Sequence, residues 1–226
     1  TLRRLRNCER SILSMSSLPA SAAETKKKTT TSKTSTTKKP SSSSSSTTKK
    51  KTVPEAPAVD ANGVPRVTAG SAIVVDAANG DVLHSINADQ RRPVASTQKL
   101  LTALIVAETG NLDEKIRVEA SDTWAEPTKL YIKPGEVYSR YSFLNVLLVK
   151  SMNDVARVLA RDNAGSVEAF ADKMNARAAQ LGMRESNFVN PNGLPAPGQY
   201  STARDMARLA LVAYRNRTLR SIMSQK

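Results

Sequence analysis

Hydrophobic residues recur with two different periods along this chain, and the change of period separates predicted strands from predicted helices. Ala72-Ile73-Val74-Val75 and Val82-Leu83-His84-Ser85-Ile86 are short runs rich in β-branched residues, the composition of strands. Asn79-Gly80 between them tolerates positive φ, which predicts a hairpin. Beyond Pro93 the period lengthens. Leu100, Leu101, Ala103, Leu104, Ile105, Val106 and Ala107 make a helix apolar nearly all round, the pattern of a helix buried at a domain's centre. Gly110 is its natural stop.

Residues 111–141 hold no sustained period and carry turn signals at Pro127 and Pro134-Gly135. From Ser142 onward Leu144, Leu148, Met152, Val155 and Leu159 recur at helical spacing. Asn153-Asp154 within that stripe has capping chemistry, so one continuous helix and a helix–helix junction both fit. A further helix is predicted from Ser166, with Val167, Phe170, Ala171, Met174, Ala178 and Leu181 on one face and Gly182 at its end. The run Asn190-Pro191-Asn192-Gly193-Leu194-Pro195 is dense in turn residues. A last helix, from about Ser201, is predicted to turn Met206, Leu209, Ala210 and Ala213 inward.

A length of 226 residues allows one domain of ordinary size plus appendages. Of the net charge of +14, +11 falls on residues 1–52, leaving +3 for the remainder. Residues 25–52 are almost entirely Lys, Ser and Thr, and cannot bury enough apolar surface to offset the entropy of ordering. Residues 1–65 are therefore expected to be a disordered tail and linker, and residues 66–226 the folded domain. The tail's lysines offer a contact to anionic wall polymer or a membrane surface. Residues 25–52 contain no aromatic side chain for base stacking, which argues against a specific nucleic-acid partner.

Cys8 is the single cysteine and His84 the single histidine, which excludes an intrachain disulfide and a Cys- or His-rich metal site. His84 falls in a predicted strand, where a surface or edge role suffices, and nothing calls for a cofactor. The basic and apolar residues between Arg3 and Ala22 are too polar for a convincing export signal, and no stretch approaches a membrane span.

Chemistry enters with Ser96-Thr97-Gln98-Lys99 and Ser151-Met152-Asn153. A helix starting near Ser96 puts Lys99 one turn on, on the same face, where an amine can take a hydroxyl proton. Ser151 and Asn153 add a second hydroxyl and an amide. The tetrad by itself is weak: Ser35-Thr36-Thr37-Lys38 and Ser46-Thr47-Thr48-Lys49 match it inside the low-complexity tail. Taken alone, a surface N-cap serine beside a solvated lysine is the simpler reading. What distinguishes Lys99 is its place at the start of a buried helix, where an ammonium is costly unless paired or neutralised.

Four separated segments, in order, resemble the penicillin-interacting serine transferases, and most closely the D-alanyl-D-alanine carboxypeptidases of peptidase family S11. They are Ala72–Asp76 with Gly80; Pro93-Val94-Ala95-Ser96-Thr97-Gln98-Lys99-Leu100-Leu101-Thr102-Ala103; Leu147-Leu148-Val149-Lys150-Ser151-Met152-Asn153-Asp154; and Phe188–Leu194 with Gly198–Ala207. The resemblance implies an α+β fold of the β-lactamase/transpeptidase type, an antiparallel sheet with a helical subdomain. It implies Ser96 as the nucleophile on a peptidoglycan stem peptide, Lys99 as proton acceptor, Ser151 as a proton relay and Asn153 as a contact to the substrate amide. It also implies acylation by β-lactam antibiotics and a place in the cell envelope, periplasmic or extracellular.

Two departures accompany it. Met152 stands where the family usually has a small residue. After Ser151 no Lys-Thr-Gly-like triplet occurs, so the strand that binds substrate carboxylate and helps form the oxyanion hole is not represented. The expectation is a chain cut short before its last strands and inactive in isolation, with a peptidoglycan-binding pseudoenzyme as the alternative and a β-lactamase as a weaker one.

Overall fold

The computed structural model describes residues 67–225, so the expected tail and linker lie outside the described residues. Strand β1 (Ala72–Val75) pairs antiparallel with β2 (Val82–Ile86). Of the two turn residues only Gly80 is left-handed (φ +85°). Asn79 acts through its side chain instead: its Oδ1 accepts the Asp81 N–H at 3.0 Å. The register slips between Val74 and Val75, so the turn closes from Asp76 to Asp81.

The chain then enters a 3-10 turn (Ala95–Gln98) and helix α1 (Lys99–Thr109), which ends at Gly110 as expected. Leu101, Ala103, Leu104, Ile105 and Val106 are buried, and Leu100 and Ala107 are partly so. Helix α1 is the hub. It packs on α2 (Arg140–Lys150), α3 (Asn153–Ala164), α4 (Val167–Gln180), α5 (Ala203–Arg215) and α6 (Arg217–Met223). A helix surrounded on all sides needs apolar residues on all sides, which accounts for its missing polar face.

Several elements went unread in the sequence. Strands β3 (Lys115–Arg117) and β4 (Val137–Ser139) form a second two-stranded antiparallel ribbon in the aperiodic region. Three residues each are too few to show alternation. Helix α6 is short and arginine-rich, but Leu219 and Ile222 are fully buried, and the Asn216 side chain caps it by accepting the Leu219 N–H at 3.1 Å. Ala210, expected to face inward, is exposed. The inward stripe of α5 runs Asp205, Leu209, Ala213, and a residue one step along is turned about 100° away. Thus the antiparallel sheet expected of the fold consists, among the described residues, of two separate ribbons beside a helical block.

The stripe from Leu144 to Leu159 is two helices. Ser151 is left-handed (φ +58°), Met152 is extended, and α3 starts at Asn153. An ion pair between buried Arg140 and half-buried Asp162 ties this arrangement to the hub. Arg140 donates to both carboxylate oxygens of Asp162 (2.7 and 3.2 Å) and to the carbonyls of Gly110 and Asn111 (3.2 and 2.8 Å). It thereby links the end of α1, the start of α2 and the last turn of α3. Asp162→Ala strands a buried guanidinium, and a loss of about 3 kcal/mol is expected, read as a fall in the urea midpoint. An unchanged midpoint would show the pair to be dispensable.

Candidate active site

The 3-10 turn runs directly into α1. Ala95 takes a left-handed φ of +48°, which leaves Ser96 exposed while Gln98 and Lys99 turn into the protein. Lys99 is 3% exposed, and its Nζ donates a 2.8 Å hydrogen bond to Ser96 Oγ. Among the described residues no carboxylate pairs with it. Burial therefore acts unopposed and pulls the ammonium pKa down to about 8. About a tenth of the amine is then neutral at pH 7, 2.8 Å from the Ser96 hydroxyl. The solvated-lysine reading is thereby excluded.

The second motif sits at the α2–α3 junction. Ser151 closes α2, its N–H bonded to Leu147 O at 3.0 Å, and among the described residues its hydroxyl makes no hydrogen bond. Asn153 is buried. Its backbone N–H donates to Thr128 O (2.9 Å) and its Nδ2 to Pro127 O (2.6 Å), while Oδ1 has no partner among the described residues. The N-cap of α3 is Met152, with no side-chain capping bond, so Ser151 and Asn153 are not a capping pair. Met152 packs against the core.

Asp154, fully buried, accepts the Leu130 N–H (3.0 Å) and so fixes residues 127–130 against the start of α3. Thr128 in that segment and Tyr131 just after it are both left-handed (φ +59°), which is strain concentrated next to a candidate site. Helices α1, α2 and α3 pack together, so the two motifs share one part of the fold. Among the described residues no hydrogen bond joins Ser151 or Asn153 to Ser96 or Lys99.

The structure adds residues that the sequence reading passed over. Gln98, fully buried, donates to Asn190 O (2.5 Å), and Thr102 donates to Pro191 O (2.7 Å). Asn190 closes its own loop through Gly193 N (2.9 Å) and Leu194 O (2.8 Å). Gln199 accepts from Val189 and Asn190 N–H groups at 3.0 and 3.1 Å. The turn-rich composition of 190–195 was visible in the sequence; its attachment to Gln98 and Thr102 was not. No cluster of His, Cys, Asp or Glu fit to hold a metal ion occurs among the described residues.

A serine hydroxyl in contact with a buried, partly neutral lysine is the geometry of serine acyl-transfer proteins that work without imidazole. The chain belongs to peptidase family S11, the D-alanyl-D-alanine carboxypeptidases, whose family model matches residues 58–226. It is 38% identical over 152 residues to a D-alanyl-D-alanine endopeptidase of Escherichia coli, covering 66% of this chain and 48% of that protein. It is 32% identical over 147 residues to the D-alanyl-D-alanine carboxypeptidase DacF of Bacillus subtilis, covering 63% and 38%. Its fold matches the crystal structure of the D-alanyl-D-alanine carboxypeptidase DacD from Francisella tularensis with a TM-score of 0.69 at 33% identity, covering 78% of this chain and 43% of that one. The β-lactamase/transpeptidase-like fold expected from the resemblance is thus the fold observed. The chain spans about half or less of the length of the curated relatives it matches.

Proposed function

We propose that this chain carries the Ser–Lys acyl-transfer machinery of a D-alanyl-D-alanine carboxypeptidase acting on peptidoglycan stem peptides. The observation that supports it most directly is the 2.8 Å contact between exposed Ser96 Oγ and buried Lys99 Nζ. Ser96 Oγ attacks the carbonyl between the two terminal D-alanines as Lys99 takes its proton. The tetrahedral intermediate collapses to a Ser96 ester, and D-alanine leaves with a proton delivered by way of Ser151. Water then hydrolyses the ester.

Asn153 meets the substrate amide. One of its N–H groups is committed to Pro127 O and its Oδ1 is buried without a partner among the described residues, so the contact calls on the remaining N–H or on a small shift that uncovers Oδ1. A β-lactam follows the same first step and is held as a stable acyl-enzyme. The substrate places the protein in the cell envelope, on the periplasmic or extracellular side, where the lysine-rich residues 25–52 would meet anionic wall polymer or membrane surface.

The test is to incubate the complete gene product with a pentapeptide ending in D-Ala-D-Ala. One equivalent of D-alanine per peptide is expected, and a parallel incubation with penicillin is expected to leave a penicilloyl adduct on the tryptic peptide containing Ser96. Cleavage of cross-linked dimers without release of terminal D-alanine would move the activity to that named for the Escherichia coli relative. Neither reaction, with no adduct, would leave the peptidoglycan-binding pseudoenzyme.

A further inference from the structure

The loop of residues 190–194 lies against the nucleophile's backbone more closely than any side chain would permit. A methyl group on Gly193 would fall 2.0 Å from Ala95 O, 2.4 Å from Ala95 C and 2.9 Å from Ser96 N. Gly193 also has φ +84°. Its neighbour across the contact, Ala95, holds a left-handed φ of +48° without being glycine, a conformation that persists only when its surroundings impose it. The Ala95–Ser96 peptide sets both the direction of the Ser96 side chain and that of its N–H.

The loop is held in place by the nucleophile's own helical run. Gln98 and Thr102, four residues apart and therefore on one face, donate to Asn190 O and Pro191 O. Both are fully buried. Asn190 Oδ1 in turn receives the Gly193 N–H at 2.9 Å. The chain thus runs from α1 through Gln98 and Thr102 to the loop, and back through Gly193 to the peptide just before Ser96. Buried polar links of this kind specify one arrangement, because each broken bond leaves an unsatisfied group.

We propose that the 190–194 loop is a positioning element for the nucleophile, with Gly193 as the point at which it bears on the Ala95–Ser96 peptide. The proposal rests on the assignment of Ser96 as nucleophile. Gly193→Ala should displace that peptide and slow Ser96 acylation by a fluorescent penicillin about 100-fold, the scale of an ångström-sized misplacement. Backbone amides of residues 94–99 should exchange hydrogen faster in the same variant. Gly198→Ala is the control, since Gly198 has φ +79° but no backbone within contact of an added Cβ. It should lose stability and keep the wild-type acylation rate.

The double variant Ala95→Gly/Gly193→Ala separates position from stability. Glycine at 95 lets the peptide step away from the new methyl, so melting temperature should recover while acylation stays low. Acylation that recovers in step with melting temperature would overturn the proposal, as would wild-type acylation in Gly193→Ala. Should Gly193→Ala fail to fold, Thr102→Val removes the clasp on Pro191 O alone. A roughly tenfold slower acylation with an unchanged pH midpoint is then expected, and an unchanged rate overturns the proposal. Should the wild type not be labelled at all, the functional reading fails, and exchange at residues 94–99 in whichever variant folds decides the positioning claim alone: faster exchange supports it and unchanged exchange overturns it.

Discussion

Ser96→Ala is expected to abolish covalent labelling by a fluorescent penicillin, with a fall in acylation of about 10⁶-fold, the order reported when a serine hydrolase loses its nucleophile. The size follows from the site. Ser96 is exposed and bonded to Lys99. Among the described residues the hydroxyl of Ser151 has no hydrogen bond to a base, so it cannot take over. The fold should persist with a modest loss of stability, because the substitution leaves the buried Lys99 Nζ without its Ser96 partner while the packing is unchanged. Stopped-flow labelling alongside a thermal melt checks both parts. A variant that still labels at a measurable fraction of the wild-type rate would remove Ser96 from the mechanism.

Lys99→Met should move activity and stability in opposite directions. Loss of the proton acceptor is expected to slow acylation by roughly 10²–10⁴-fold. In the wild type the acylation rate should rise with pH through a midpoint near 8, where burial has brought the amine, and Lys99→Met should lose that inflection. Stability follows the same titration with a defined sign. The folded-state pKa lies below the unfolded value of 10.5, so between about 8 and 10.5 the unfolded chain holds the extra proton. Stability attributable to this group therefore rises with pH across that window, and below pH 8 the buried ammonium costs about 3 kcal/mol. Lys99→Met relieves that cost at neutral pH and loses its advantage near pH 10.5. Denaturant midpoints at pH 7 and 10.5 test this. A variant less stable than wild type at pH 7 would show that the bond to Ser96 outweighs the burial cost.

Much of the site was legible because its chemistry is local. Ser96 and Lys99 lie one turn apart, a spacing that puts both side chains on one face once the backbone is helical. The apolar circumference of residues 100–107 announced a buried helix, and that burial is what lowers the lysine pKa. Gly110 and Gly182 marked helix ends through backbone geometry that needs no tertiary partner.

Other features had no local signature. The break at Ser151 could be read as a kink or a continuation until residues 127–130 were seen bonded to Asn153 and Asp154, more than twenty positions away in sequence. The short ribbon β3–β4 and helix α6 are held by packing rather than by periodicity, and Ala210 shows how a stripe read a step too wide puts an exposed residue inside. The role of Gly193 is the clearest case. In sequence it is one more turn glycine; only the approach of its loop to the Ala95–Ser96 peptide makes the missing side chain a requirement. Sequence alone thus determined the Ser96–Lys99 pair and the helix that buries the lysine, because both depend on neighbours within one or two turns. The setting of Ser96 was decided by tertiary structure, because the Ala95–Ser96 peptide meets a loop about a hundred residues further along the chain.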